Sequence, residues 1–309
     1  MDLSAISPTL LIASLMVAAT PILLAALGEM VVEKSGVLNL GVEGMMIMGA
    51  VCGFIASVET GSPWLGFLMA AAGGAVMALL FGFLTQVLLS NQVATGLALT
   101  LFGLGLSSLL GQGYVGIKAN SLGRIDLGPL SDLPFFGRVF FGHDPIVYLS
   151  LVLVIAVWAF LKFTRAGLIL RAVGESHDAA HALGYGVRRV RLMAIAFGGA
   201  CAGLGGAYLS LVRVPQWTEG MTAGAGWIAL AIVVFASWRA GRVLAGAYLF
   251  GGITVLQLNL QTAGAKVPVE LLSAAPYLVT ILVLVLISLR AGRAGTAPAD
   301  LGRPFHAST

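Results

Sequence analysis

Asn39 and Glu43 stand four residues apart in the stretch Gly28-Glu-Met-Val-Val-Glu-Lys-Ser-Gly-Val-Leu-Asn-Leu-Gly-Val-Glu-Gly44, where a long apolar run is just beginning. That spacing puts both side chains on one helix face. A carboxylate at the centre of a bilayer costs roughly 2.5–3.5 kcal/mol on insertion scales, so Glu43 is expected to face the interior of a helix bundle or a wet cavity. Two roles fit: a hydrogen-bonded staple between helices, or the lining of a solute path. A second polar entry, Ser90-Asn-Gln-Val-Ala-Thr95, leads into a run that also carries Thr100. There a turn coincides with a helix N-terminus, which either presents oriented backbone dipoles to a polar solute or is a plain turn with an Asn or Ser cap.

Other chemistries are absent or weak. His177 and His181 lie at i and i+4, but Asp178 points about 100° away from His177 on a helix, so the pair reads as a solvated face and not as a metal site. Gly111-Gln-Gly113-Tyr-Val-Gly116 matches the dinucleotide fingerprint as a string, yet it closes an apolar helix where the fingerprint needs a strand before it. No Gly-x4-Gly-Lys-Ser/Thr loop occurs, so ATP binding by that route is not expected. Cys52 and Cys201 sit within apolar segments and read as small buried hydrophobes. No serine or cysteine nucleophile with a plausible base stands out.

The elements that must hold these residues are set by composition. In 309 residues, 59% are hydrophobic and 10% charged, with a mean hydropathy of +0.99. Soluble chains carry about a quarter charged residues, so this is an integral membrane protein. The net charge of +4 comes from short basic runs between apolar segments, not from a groove, and nucleic acid is not an expected partner. Apolar runs at 9–27, 37–58, 65–89, 94–117, 146–163, 192–212, 223–238, 243–260 and 272–289 make nine candidate spans, with eight to ten as the range. The run at 223–238 is the weakest, because Gly224 and Gly226 shorten it, and a broken or partly re-entrant helix is expected there. Alternate loops hold twelve and five Lys/Arg residues. The richer set should be cytoplasmic, with the N-terminus outside and the C-terminus inside.

The fold class is therefore all-α and polytopic, with a single transmembrane domain over 1–291. An external loop at about 118–145, with Pro129, Pro134 and two Phe pairs, is expected to be a lid or an amphipathic segment. A cytoplasmic loop at about 163–191 holds the densest charge and by itself reads as a solvated amphipathic loop. The Gly/Ala/Pro-rich tail 292–309 is expected to be disordered. Lys34 is the first basic residue, so no cleavable signal peptide is expected and the first run should remain a membrane helix. Small residues at i, i+4 spacing, as at Gly49/Gly53, Gly103/Ser107/Gly111 and Gly199/Gly203, predict close helix packing.

Three segments together carry a family resemblance: Ser35-Gly-Val-Leu-Asn-Leu-Gly-Val-Glu-Gly-Met-Met, Asn91-Gln-Val-Ala-Thr-Gly-Leu-Ala-Leu, and Arg171-Ala-Val-Gly-Glu-Ser-His-Asp-Ala-Ala-His-Ala-Leu-Gly-Tyr-Gly-Val187. The chain resembles the permease subunits of ABC importers, in the branch of ribose, branched-chain amino-acid and nucleoside permeases. Its Asn-Leu-Gly-Val-Glu-Gly form is most similar to the nucleoside subgroup. The resemblance covers roughly residues 20–290.

That resemblance implies a multi-pass protein of the bacterial inner (plasma) membrane working with a second, non-identical permease chain, a cytoplasmic ABC ATPase and an external solute-binding protein. The chain itself would be no enzyme and hold no cofactor, ATP and Mg²⁺ belonging to the ATPase. Alternating access would carry a small polar solute, a nucleoside first, with sugars or branched-chain amino acids as alternatives. Asn39, Glu43, Gln92, Thr95 and Thr100 are the path candidates. Trp227 is a stacking ring for a base or an aromatic anchor at the outer interface. Gly174, Glu175, Ala179, Ala180 and Gly184 match the coupling motif that docks on the ATPase, small alanines permitting close approach and glycines letting a short helix turn. Under this reading Glu43→Ala reduces uptake more than assembly. An ion-driven secondary carrier with Glu43 as its ion site is the rival, and a non-transporting scaffold is a weaker one.

Overall fold

A computed structural model describes residues 8–125, 141–262 and 297–306, together with five isolated helical positions, Ala274, Leu278, Ile281, Leu282 and Val285. Ten α-helices follow in order: α1 (Pro8–Lys34), α2 (Val42–Thr60), α3 (Pro63–Gly82), α4 (Gln92–Gly111), α5 (Pro145–Phe163), α6 (Arg165–Glu175), α7 (His177–Ala182), α8 (Val187–Tyr208), α9 (Ala225–Phe235) and α10 (Ala240–Thr262). One π-helical turn, Phe83–Val87, prolongs α3, and another, Leu209–Arg213, prolongs α8. Among the described residues, seven helices are long and apolar enough to cross a membrane, and α9 is a shorter apolar one. The ninth expected span, 272–289, lies largely outside the described residues. So does the centre of the expected lid.

Helix α8 is the hub, packed on α1, α2 and α3. Lipid gives helices no hydrophobic drive to associate, so close backbone contact must come from small side chains. A Cβ on Gly49 would overlap Gly203 in α8, and one on Gly74 in α3 would overlap Gly199. The spacing at Gly49 and Gly199/Gly203 thus does what the sequence predicts. Gly103 meets α2 as well: its Cβ would stand 2.8 Å from Gly44 Cα. The faces of α3, α4 and α5 turned away from this core expose Leu68, Val76, Leu101, Leu109, Val152 and Ile155.

Helix α1 runs seven residues beyond the apolar run that ended at Leu27. It therefore carries Glu29 and Glu33 as buried helical residues, where the sequence reading placed a loop. Arg191, counted with the loop charges, is likewise a fully buried residue of α8.

Asp144 starts α5. Its Oδ1 accepts from the backbone N–H groups of Ile146 (3.0 Å) and Val147 (3.2 Å), and its Oδ2 accepts from the Tyr208 hydroxyl at 2.7 Å. One carboxylate thus caps one helix and ties it to another. Asp144→Ala is expected to cost about 2–3 kcal/mol by losing a cap and orphaning a buried hydroxyl. Asp144→Asn, whose amide oxygen keeps the cap while its NH₂ can donate to the Tyr208 hydroxyl oxygen, should lose less than half of that. Thermal unfolding of the two variants in detergent checks the order.

Candidate functional site

Helix α9 has 11 residues, about 16 Å at 1.5 Å per residue, or half of a hydrocarbon core about 30 Å thick. It is the broken element expected at 223–238. Its N-terminus is built by a tight turn in which Ala223 has φ 45° and Gly224 φ 85°; the left-handed conformation suits glycine at the second position and is strained at the first. The turn wraps the Glu43 carboxylate. Oε1 accepts from Thr222 Oγ1 at 2.6 Å and Gly224 N at 2.9 Å, and Oε2 accepts from Gly226 N at 2.7 Å. Gly226 permits this approach, since a Cβ there would stand 2.5 Å from Glu43 Cα.

Glu43 lies in the first turn of α2 as well. Its charge therefore meets the positive ends of two helices, where an anion is favoured. The other end of α9 is fixed in the same manner: Ser237 and Trp238 are left-handed, and the turn aims Trp238 Nε1 at the buried Glu33 carboxylate, to which it donates.

Asn39 is fully buried. Its Oδ1 accepts from Gly41 N at 2.9 Å, and its Nδ2 and backbone N each donate to the Glu29 carboxylate at 3.3 Å. This side-chain-to-backbone turn shapes the entry into α2. From α4, Gln92 Oε1 accepts from Leu38 N at 2.8 Å, and Thr100 Oγ1 donates to Leu40 O at 3.2 Å. Thr95 pairs with Ser90 at 2.8 Å, beside the Asn91 side chain that caps α4 by accepting from Ala94 N.

Four of the six path candidates, Asn39, Glu43, Gln92 and Thr100, are thus brought together around residues 38–44. Their polar atoms are turned mostly to the protein's own backbone. Both carboxylate oxygens of Glu43 are engaged, which favours the staple over the path lining. Gln92 differs, because its buried Nε2 has no hydrogen-bond partner. Thr95 stands apart in the cap, and Trp227 is exposed on α9. Glu29 and Glu33 belong to this polar layer as well, and their i, i+4 spacing directly after a long apolar run is the sequence signal that marks them.

On the far side of the 218–225 turn is a cavity of about 460 Å³, lined in part by Arg213, Thr218, Thr222, Phe250, Thr254 and Gln257. That volume is in the range of small-molecule sites. Thr222 belongs both to this wall and to the Glu43 staple.

The coupling motif divides. Ser176 separates α6 from α7, with φ −156°, and its Oγ accepts from Ala179 N. Gly174 is not a hinge: it lies inside α6, where a Cβ would overlap Lys34 O. Gly184, at φ 85°, does end α7 as expected. Ala179 and Glu175 are exposed, whereas Ala180 is buried, so the two alanines do not share a docking face. His177, expected to be solvated, is 7% exposed; its Nδ1 stands 2.7 Å from Asp300 Oδ2. No group of three or more metal-ligating side chains occurs among the described residues.

The family described as "Branched-chain amino acid transport system / permease component" matches residues 11–288. A provisionally named glucose ABC transporter permease protein from Haloferax volcanii is 43% identical over 289 residues, 86% of this chain and 88% of that protein. A nucleoside ABC transporter permease protein from Lactococcus lactis is 31% identical over 291 residues, 90% and 92% of the two chains. A guanosine ABC transporter permease protein from Bacillus subtilis is 31% identical over 293 residues, 89% and 91%.

Proposed function

The chain belongs to the family of branched-chain amino acid transport system permease components, and from that membership we propose that it serves an ATP-driven importer that carries nucleosides inward. It is a multi-pass membrane protein and an ABC permease. The observation that carries the solute class is the pair of nucleoside and guanosine permeases aligned over nine-tenths of the chain. The cavity beside α9 supports it: its wall carries the polar side chains of Arg213 and Thr218 among apolar ones, with the Phe250 ring on the same wall, a mixture that suits a ribose or base. Trp227, exposed on α9 outside that lining, is a separate ring at which a base can stack. The more similar Haloferax relative favours glucose as the second reading, since the same polar groups suit a hexose.

In this reading the N-terminus is outside, the exposed side of α7 around Ala179 and Leu183 faces an ATPase, and a second permease completes the path. The weak interior site needs few polar residues, because affinity resides in an external binding protein. A tagged chain extracted in mild detergent is expected to bring with it an ATPase with two nucleotide-binding halves and a non-identical permease. Reconstituted with its binding protein, the complex should take up labelled guanosine in an ATP-dependent way, competed by other nucleosides and not by glucose. Competition by glucose alone selects the second reading. A chain that purifies alone and transports under an ion gradient refutes the importer.

A further inference from the structure

The described part of the tail, 297–306, is packed, contrary to the disorder its composition suggests. Asp300 Oδ2 accepts from the backbone N–H of His177 at 2.8 Å and stands 2.7 Å from its Nδ1. Asp300 thereby caps the start of α7 from the far end of the chain, beside the local cap of Ser176. Phe305, 4% exposed, inserts its ring between the imidazoles of His177 and His181, with centroids 5.4 and 5.2 Å away. It also forms a small apolar cluster with Val173, Ala180 and Val187.

The segment also touches α6 and the α1–α2 turn. Asp300 N donates to Gly174 O (3.0 Å), and Gly302 N donates to Gly36 O (3.1 Å). Under it, the buried Arg191 side chain donates to Ser35 O (3.2 Å), Arg303 O (3.0 Å) and Gln86 Oε1 (3.3 Å). One guanidinium thus joins the tail, the turn before α2 and the end of α3. The turn 35–41 leads directly to Asn39 and Glu43. The tail lies beyond the stretch matched by the family, which ends at 288.

We propose that residues 297–306 are a strut that fixes α7 to the α1–α2 turn, with Asp300 and Phe305 as positioning residues for energy coupling. The strut rests on the importer reading. Motion imposed on α7 by an ATPase then reaches the entry to α2 through Asp300, the Arg303 carbonyl, Arg191 and Ser35. Without the strut, α7 keeps α6, the residues leading into α8 and the 3.4 Å contact of His177 Nδ1 with Arg191 Nη2, but it loses the Asp300 cap at its start and yields more readily without moving α2.

The test uses the complete reconstituted complex carrying Asp300→Ala, Asp300→Asn or a chain ending at Thr296. Asp300→Ala and the truncation should retain ATP hydrolysis and the half-saturating solute concentration, while solute moved per ATP falls by roughly fivefold or more. Asp300→Asn, which keeps an acceptor for His177 N–H, should recover part of the loss. Amide exchange over His177–Ala182 should quicken on the order of tenfold in the truncated chain. Unchanged coupling, or unchanged exchange, overturns the strut. So does failure of all three variants to insert, which would make the segment a folding element. A wild-type chain that binds no ATPase defeats the importer reading and with it the coupling role, whereas normal coupling in both wild type and variants defeats the strut alone.

Discussion

Glu43→Ala is expected to destabilise the chain as a whole, with loss of inserted, monodisperse protein accompanying any loss of uptake. The substitution strands three donors, the Thr222 hydroxyl and the N–H groups of Gly224 and Gly226. Each buried donor left unpaired costs about 1–3 kcal/mol, less where water enters. A combined loss of about 4 kcal/mol is a large share of the 5–15 kcal/mol that ordinarily separates folded from unfolded protein. Glu43→Gln keeps the shape but turns an amide NH₂ toward at least one donor, so it should fall between wild type and alanine. This departs from the sequence-based expectation that alanine reduces uptake more than assembly. Thermal unfolding and size exclusion decide it: an alanine variant that melts like wild type yet does not transport would return Glu43 to the solute path, or to the ion site of a carrier.

Gly203→Val should be of comparable severity by a different route. Gly203 lies where α8 meets both α2 and α3: its own Cβ would overlap Ala70 O, and a Cβ on Gly49 would overlap Gly203. Both obstructions are backbone, so no rotamer change relieves them. Overpacking costs about 1–3 kcal/mol where a core can shift. Pressed between two helices, valine should reach about 3 kcal/mol or force α8 off the bundle, and Gly203→Ala should show a smaller effect of the same sign. By contrast, Gly105, with open space around its Cβ position, should accept alanine with little change. Normal unfolding of Gly203→Val would mean that the crossing is looser than described.

The sequence made the apolar spans and small-residue contacts legible because both depend on local periodicity. For Glu43 the staple was legible as one of two roles, but its partners were not, because they lie 179 to 183 residues away. Glu29 and Glu33 were hidden by a boundary drawn on hydropathy alone: α1 continues past Leu27 because Asn39 and Trp238 satisfy those carboxylates. His177 looked solvated for the same reason, its carboxylate partner being 123 residues on. In the described part of the tail, residues 297–306 form turns and irregular backbone, as a Gly/Ala/Pro-rich composition favours. That composition could not show that Asp300 and Phe305, with the backbone of Gly302 and Arg303, anchor these ten residues.

Helix α9 is held at one end by Glu43, through donors before it and in its first turn, and at the other by Glu33, through Trp238 beyond its last residue. Such an element acts as a ruler of fixed length between two carboxylates. Adding or deleting one residue within it shifts the far clamp by about 1.5 Å and turns it by about 100°, so only one of the two can remain closed. Side chains on α9 can vary with the surface they face, but its register cannot, and rearrangements that preserve both clamps must carry α9 together with the ends of α1 and α2 as one piece.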